Sequence, residues 1–300
     1  MSFSAQDVMR LREETGAGMM DCKKAMVESN GDFEAAKEFL KKKGLSAAGK
    51  KAGRTTAEGL IACIVDGNAG ALLELNSETD FVAKNDTFQN LANGLVKDFF
   101  GSNGNFEQFK ESKASLISEN IAIIGENISL RRAQKLSVNN GVVASYIHNS
   151  VTPGLGKVGI LIAMESEAPK EKLIEVGKQI AMHIAATKPE SLNISELDPK
   201  LVELEKVAFA EQAKASGKPD NVIEKMVEGR IAKYYEQVVL LEQIFVIDGK
   251  TKISQVLENL SKETGKPVKI SSFVRFNLGE GIEKQQTDFA QEVAAAAAGS

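Results

Sequence analysis

A chain of 300 residues is long enough for two or more domains, each burying a core of its own. The 43% apolar and 26% charged content is that of an ordinary globular protein, and a net charge of −4 excludes a general electrostatic attraction to nucleic acid or to an anionic membrane. Trp is absent and Tyr numbers three, too few rings for the stacking platforms of single-strand RNA binders; 14 Phe carry the aromatic content.

Cys22 and Cys63 are the only cysteines, too few for a disulfide framework or a four-thiolate metal site. The first residues hold acids and neither an apolar core segment nor an Arg-rich leader, and no run approaches the roughly 18 apolar residues needed to cross a bilayer. A cytoplasmic protein in a reducing setting, with no membrane contact, is expected.

Along the chain, residues 4–14, 19–29 and 32–43 read as three short helices. Gly16, Gly31 and Gly44 stand where a helix ends on a positive φ, and Asp32 is placed to cap the third helix. The Gly-, Ala- and Lys-rich tract at 46–54 reads as a linker or a loosely held helix. Strand character follows at 60–65 and 71–75 around a turn at Asp66-Gly67-Asn68, which predicts a hairpin. A helical pattern through Phe88, Leu91 and Leu95 comes next, with further helical segments to about Arg132.

Residues 141–187 repeat that plan, with strands at 141–148 and 159–164 and a helix through Leu173, Val176, Ile180 and Ile184. Gly59 then matches Gly141, and Gly70 matches Gly159, so the core is expected to be duplicated. Residues 199–237 read as two antiparallel helices broken at Gly217-Lys218-Pro219, a hairpin of the kind that pairs with its copy. Strand character returns at 244–247 and 272–276, and a helix from about Asp288 leads into a poly-Ala end.

The fold class expected is α+β, with a three-helix N-terminal module, a duplicated strand-strand-helix core with antiparallel sheets, and a projecting helical hairpin. The segments are 1–45 for the module, 46–56 for the linker and 57–140 for the first core half. The second half takes 141–198 and 238–276, the hairpin 199–237, and a C-terminal module and tail 277–300.

Few motifs carry enzymatic chemistry. Gly154-Leu155-Gly156-Lys157-Val158-Gly159 matches G-x-G-x-x-G, but a strand follows it where a dinucleotide site needs a helix N-terminus facing the pyrophosphate. His148 and His183 are the only imidazoles and lack any metal-ligand spacing, so neither a metal nor a cofactor is expected. His183 reads as a packing histidine inside a helix, whereas His148, at a strand end beside a loop, is free to meet a partner. The basic tract around Lys41, Lys42, Lys43, Lys50, Lys51 and Arg54 reads as a solvated face, since no aromatics interleave the lysines; no direct nucleic-acid contact is expected.

The segment running from Asn76 to Asp86 is the most informative, because it leaves a strand and enters a helix, where a rigid scaffold can present side chains. A purely structural reading has Ser77 or Thr79 capping the helix while Phe81 and Val82 fold inward. Against it, the second core copy carries Ser166-Glu167-Ala168-Pro169-Lys170 at the equivalent place, so the fold itself does not demand Asp and Phe there. An acid/base pair of Asp80 with Glu78 is a rival reading, unsupported by a nucleophile, a metal set or a cofactor loop.

Several segments together resemble the bacterial translation elongation factor Ts family, the guanine-nucleotide exchange factors of elongation factor Tu. They are residues 11–25 around Thr15-Gly16-Ala17-Gly18-Met19-Met20, the Thr79-Asp80-Phe81-Val82 signature, Ala181-Met182-His183-Ile184-Ala185-Ala186, Lys225-Met226-Val227-Glu228-Gly229-Arg230 and Gly279-Glu280-Gly281-Ile282-Glu283-Lys284. The resemblance implies a ubiquitin-associated-like N-terminal module, a two-part core and a hairpin that dimerises, so that a homodimer through 199–237 is expected. It also implies a non-enzymatic protein that binds elongation factor Tu, GDP-bound and nucleotide-free, and promotes GDP release so that GTP can bind. Thr79, Asp80, Phe81 and Val82 would act in dislodging Mg²⁺ from the GTPase, with Phe81 as an apolar wedge and Asp80 beside it. Further partner contacts are implied for Met19, Met20, Lys23 and His148.

Overall fold

The computed structural model describes residues 3–214 and 219–283. They fall into two compact units, one drawn from 1–62, 73–133 and the segment after 276, the other from 63–72 and 134–276.

In the first unit, α1 (Ala5–Thr15) opens on a capping box. The Asp7 amide donates to the Ser4 hydroxyl at 3.2 Å and the Ser4 amide to the Asp7 carboxylate at 2.7 Å, and Gly16 ends the helix at φ 67°. α2 (Met19–Glu28) and α3 (Phe33–Lys51) complete a three-helix module around Leu11, Cys22, Ala25, Met26 and Ala36, with Asp32 accepting the Ala35 amide at 2.9 Å. Gly44 does not end α3. The helix continues to Lys51, through the tract read from sequence as a linker or a loosely held helix, because Gly44 serves a close approach: a Cβ there would lie 3.2 Å from the Ala122 Cβ of α6 (Ala114–Ile124).

Strands β1 (Glu58–Asp66) and β2 (Ala69–Ser77) form the expected hairpin around Gly67, whose φ is 57°. α4 (Asp86–Gly101) buries Phe88, Leu91, Leu95 and Phe99 at helical spacing, and Phe99 meets Phe109 of α5 (Phe106–Ser112) edge-on at 5.1 Å. Helix does not persist to Arg132. Gly125 stops α6 at φ 88° and the chain turns into β3 (Ile128–Ser137), which buries Ile128 and Leu130 at strand spacing.

In the second unit, β4 (Gly141–His148) pairs antiparallel with β6 (Val158–Glu165), Gly141 opposite Glu165 and His148 opposite Val158. The short β5 (Leu155–Gly156) lies in the loop between them, and β7 (Lys269–Asn277) extends the sheet in the order β4-β6-β7, while the other sheet runs β3-β2-β1-β5. α7 (Lys170–Thr187) buries Leu173, Ile180, Ala181 and Ile184. Gly177 brings it so close that a Cβ would lie 2.7 Å from that of Ala144. α8 (Pro199–Lys214) and α9 (Asp220–Val238) form the helical hairpin, and α10 (Ile253–Thr264) precedes β7. The break at Gly217-Lys218, the helix from Asp288 and the poly-Ala end lie outside the described residues.

The fold is α+β, and its duplication extends beyond strand-strand-helix. In each copy a third strand, arriving from a helix, adds to the second strand of the hairpin: β3 after α6 onto β2, and β7 after α10 onto β6.

Ile244 to Ile247 is not a strand. Ile244 makes a single bridge to Lys252 and the chain then turns, the Asp248 carboxylate accepting the Lys250 and Thr251 amides at 3.0 Å each. The Thr251 hydroxyl and those amides hold the Asp248 carboxyl down at about 2.

His183 of α7 fixes this turn from inside. It is fully buried; its Nδ1 accepts the Val246 amide at 3.3 Å, so Nε2 carries the proton and donates to Gln243 Oε1 at 2.9 Å. Gln243 also accepts the Thr187 hydroxyl at 2.9 Å, and the Phe245 ring lies 6.0 Å from the imidazole. Burial pushes the imidazole below its ordinary value of 6.5, and a second ring proton would face the Val246 N–H. The unfolded chain thus binds the proton first. The contribution is complete above about pH 6.5 and drains away as pH falls through that value toward the depressed folded one. The urea midpoint of this unit is expected to drop between about pH 7.5 and about pH 5.5, and His183→Gln to lose that part of the dependence.

Candidate protein-docking site around Phe81

Beyond β2 the backbone bends sharply, with the Ser77 hydroxyl donating to the Thr79 carbonyl at 2.9 Å. A 3-10 turn (Val82–Lys84) follows. α4 is capped by Asn85, whose side-chain oxygen accepts the Thr87 and Phe88 amides at 2.8 and 3.3 Å. Neither Ser77 nor Thr79 caps the helix.

Two carboxylates, one on each side, fasten the bend to the turn after α6. Glu126, in the turn after α6, accepts the Thr79 amide at 2.9 Å and the Thr79 hydroxyl at 2.6 Å. Reciprocally, Glu78 accepts the Asn127 amide at 2.6 Å and pairs with Arg54 at 3.2 Å, while the Asn127 side chain donates to the Arg54 carbonyl at 2.9 Å. Charge-assisted bonds to backbone amides on both sides make a clasp. Glu78, bonded in this way, is committed to the scaffold and is a poor half of an acid/base pair with Asp80.

The clasp splits the four-residue signature in two. Thr79 is half-buried and Val82 is 7% exposed, so these two look inward. Asp80 and Phe81 look outward, and Phe81 at 75% is the most exposed large apolar side chain among the described residues. A single exposed apolar side chain is commonplace. A phenyl held out by a fastened loop, next to a carboxylate, is a ready-made apolar contact at no further cost in backbone order.

The family model described as Elongation factor TS matches residues 78–280, from the Glu78 clasp to the end of the second unit and beyond. The chain belongs to the elongation factor Ts family. It is 52% identical to the elongation factor Ts of Rhodospirillum centenum over 98% of this chain and 99% of that one. Against the elongation factor Ts of Rhodospirillum rubrum the identity is 54% over 98% of each chain, and against that of Bartonella henselae 50% over the whole of both. The N-terminal module, outside the matched segment, is therefore shared with elongation factors Ts along their full length.

The further partner-contact residues implied from sequence are all exposed. Met19, Met20 and Lys23 stand on α2, and His148 ends β4, its Nδ1 3.0 Å from the Tyr146 hydroxyl. The Gly154–Gly159 motif is a strand connection: Gly154 turns at φ 81°, its carbonyl accepts the Cys63 amide at 2.8 Å, and β6 follows. Among the described residues no group of His, Cys, Asp and Glu is placed to hold a metal, and no helix is long and apolar enough to cross a membrane. Sequence reasoning missed Glu126 and Asn127, and it placed Arg54 in a solvated basic tract and not in the clasp. A partner 47 residues away from Thr79 leaves no mark in local periodicity, and only the acid placed just after the helix-ending Gly125 hints at it.

Proposed function

We propose that this protein is a cytoplasmic guanine-nucleotide exchange factor that binds elongation factor Tu carrying GDP, displaces its Mg²⁺ and speeds GDP release, acting by binding and not by covalent chemistry. The observation that carries this reading is Phe81, held out to solvent by a fastened loop in a chain of this family. Phe81 is the wedge and Asp80 its neighbour, while Thr79 and Val82 form the mounting. The ubiquitin-associated-like module adds contacts through Met19, Met20 and Lys23, and the second unit adds His148.

The mechanism is linkage. A protein that prefers the nucleotide-free GTPase weakens nucleotide binding by the factor by which nucleotide weakens its own binding. Burying one Phe is worth about 1.5–3 kcal/mol, roughly ten- to a hundredfold in affinity if it is buried only in the exchange-competent state. Loss of Mg²⁺, which neutralises the phosphates, loosens GDP further. A homodimer through 199–237 belongs to the same proposal, supported by Leu201, Leu204 and Val207 exposed along α8; a monomeric mass at micromolar concentration would remove it.

The test is release of a fluorescent GDP analogue from purified elongation factor Tu. The parent is expected to accelerate it, and Phe81→Ala to lose about ten- to a hundredfold of that acceleration at unchanged thermal stability, since the side chain is exposed. Absence of acceleration by the parent defeats the proposal.

A further inference from the structure

The turn Gly125-Glu126-Asn127 holds the loop that presents Phe81. Between the end of β2 and the cap of α4 the backbone makes few bonds of its own: the Ser77 hydroxyl to the Thr79 carbonyl, the Lys84 amide to the Phe81 carbonyl at 3.1 Å, and the Asn85 amide to the Val82 carbonyl at 2.9 Å. None of these fixes the Thr79 amide, which precedes Asp80 and Phe81. Glu126 does, and with its second oxygen takes the Thr79 hydroxyl as well. The side chain of Thr79 is thereby used up holding its own loop.

The anchor is itself well founded. Gly125 closes α6 in the left-handed region, Lys51 at the end of α3 donates to the Gly125 carbonyl, and the Asn127 amide is taken by Glu78. Glu78 and Glu126 thus tie two consecutive-residue segments to each other, one bond set in each direction. A loop so tied need not be ordered when its partner arrives, and the saving appears as affinity.

We propose that Glu126 is a positioning residue for nucleotide exchange: by taking both donors of Thr79 it holds the 78–81 loop in the conformation that presents Phe81 to the GTPase. This rests on the exchange reading above. In this role Glu126 makes its contribution only through Phe81. Removing it lets the loop sample other conformations, and the fraction competent to seat Phe81 falls, which raises the apparent dissociation constant in proportion.

The experiment is a two-by-two cycle on full-length protein. GDP-analogue release from elongation factor Tu is measured for the parent, Glu126→Ala, Phe81→Ala and the double variant at concentrations below saturation. Glu126→Ala is expected to reduce the acceleration about tenfold in the parent background and less than about twofold in the Phe81→Ala background. Glu126→Gln, which keeps a neutral acceptor for the hydroxyl, is expected to restore part of the loss and serves as the variant if Glu126→Ala does not fold. Equal fold-losses in both backgrounds overturn the inference, since a general structural role would multiply with Phe81→Ala, and an unchanged rate in Glu126→Ala overturns it too. No acceleration by the parent would instead defeat the exchange reading itself. Hydrogen exchange at the Thr79 amide gives the independent readout: protection lost in Glu126→Ala supports the clasp, and protection retained refutes it.

Discussion

Glu74→Ala is expected to cost the first unit about 3 kcal/mol, at the lower end of the range for stripping the partner from a buried charge pair. Glu74 lies on β2 with no exposed surface. Its Oε1 accepts Arg131 at 2.9 Å, the Asn76 side chain at 3.2 Å and the Gly279 amide at 2.8 Å, and its Oε2 accepts Arg132 at 2.5 Å. The guanidiniums then reach onward, Arg131 to the Glu280 carbonyl and Arg132 to the Asn277 carbonyl at 3.0 Å. One carboxylate therefore binds β2, β3 and the segment after β7. Without it two adjacent cations face each other over an unfilled space, and the Gly279 amide loses its acceptor. The arginine side chains keep 27% and 31% exposure, so water relieves part of the cost; hence the lower end. Urea denaturation of the variant measures the loss, and a cost under about 1 kcal/mol would mean that water replaces the carboxylate well. Replacing the whole cluster, Glu74→Leu with Arg131→Met and Arg132→Met, is expected to recover most of the stability, because no charge is then left buried alone. Hydrogen exchange at Gly279 should rise in both.

That cluster also explains what the sequence hid. Ile128 and Leu130 mark β3 at strand spacing, but Arg131 and Arg132 break the pattern, and the reason for them is a buried acid 57 residues earlier. Short-range signals were legible wherever one residue type has one local use. Asp32 capped its helix, Gly16 and Gly31 took positive φ, and the apolar rows of α4 and α7 faced inward. They failed where one residue type has two uses. Gly44 served helix-on-helix approach and not a helix end, and the apolar run from Ile244 to Ile247 became a turn because Asp248 and the buried His183 take its amides and those that follow. At the candidate site the residues read by themselves drew attention to the loop, and only the family resemblance singled out Phe81 over Val82 as the apolar wedge. Val82 is inside and Phe81 outside, and a bend of this length has no period from which to tell them apart.

Gly141→Ala and Gly59→Ala are expected to destabilise their own units by roughly 3 kcal/mol each, through a common cause. Gly59 has φ 124° and Gly141 φ 139°, a region in which a Cβ is strained whatever the space around it. Space is lacking as well: a Cβ on Gly59 would be driven into the carbonyl oxygen of Leu75 on β2, and one on Gly141 into that of Met164 on β6. Each glycine opens the first strand of a hairpin where the end of the second strand crosses it closely, and the same device stands in both copies of the core. The backbone must give way, and because the crossing carbonyl belongs to a paired strand, the adjustment breaks ladder hydrogen bonds. At about 2–4 °C per kcal/mol for a chain of this order of size, the thermal midpoint should fall by roughly 6–12 °C. Gly229→Ala supplies the opposite sign. Gly229 sits within α9 with open space at its Cβ, so an alanine there should add about 0.5–1 kcal/mol by helix propensity. If Gly141→Ala and Gly229→Ala moved the midpoint in the same direction, the positive φ at the hairpin entrance would not be a requirement of the fold, and its recurrence in the two halves would need another cause.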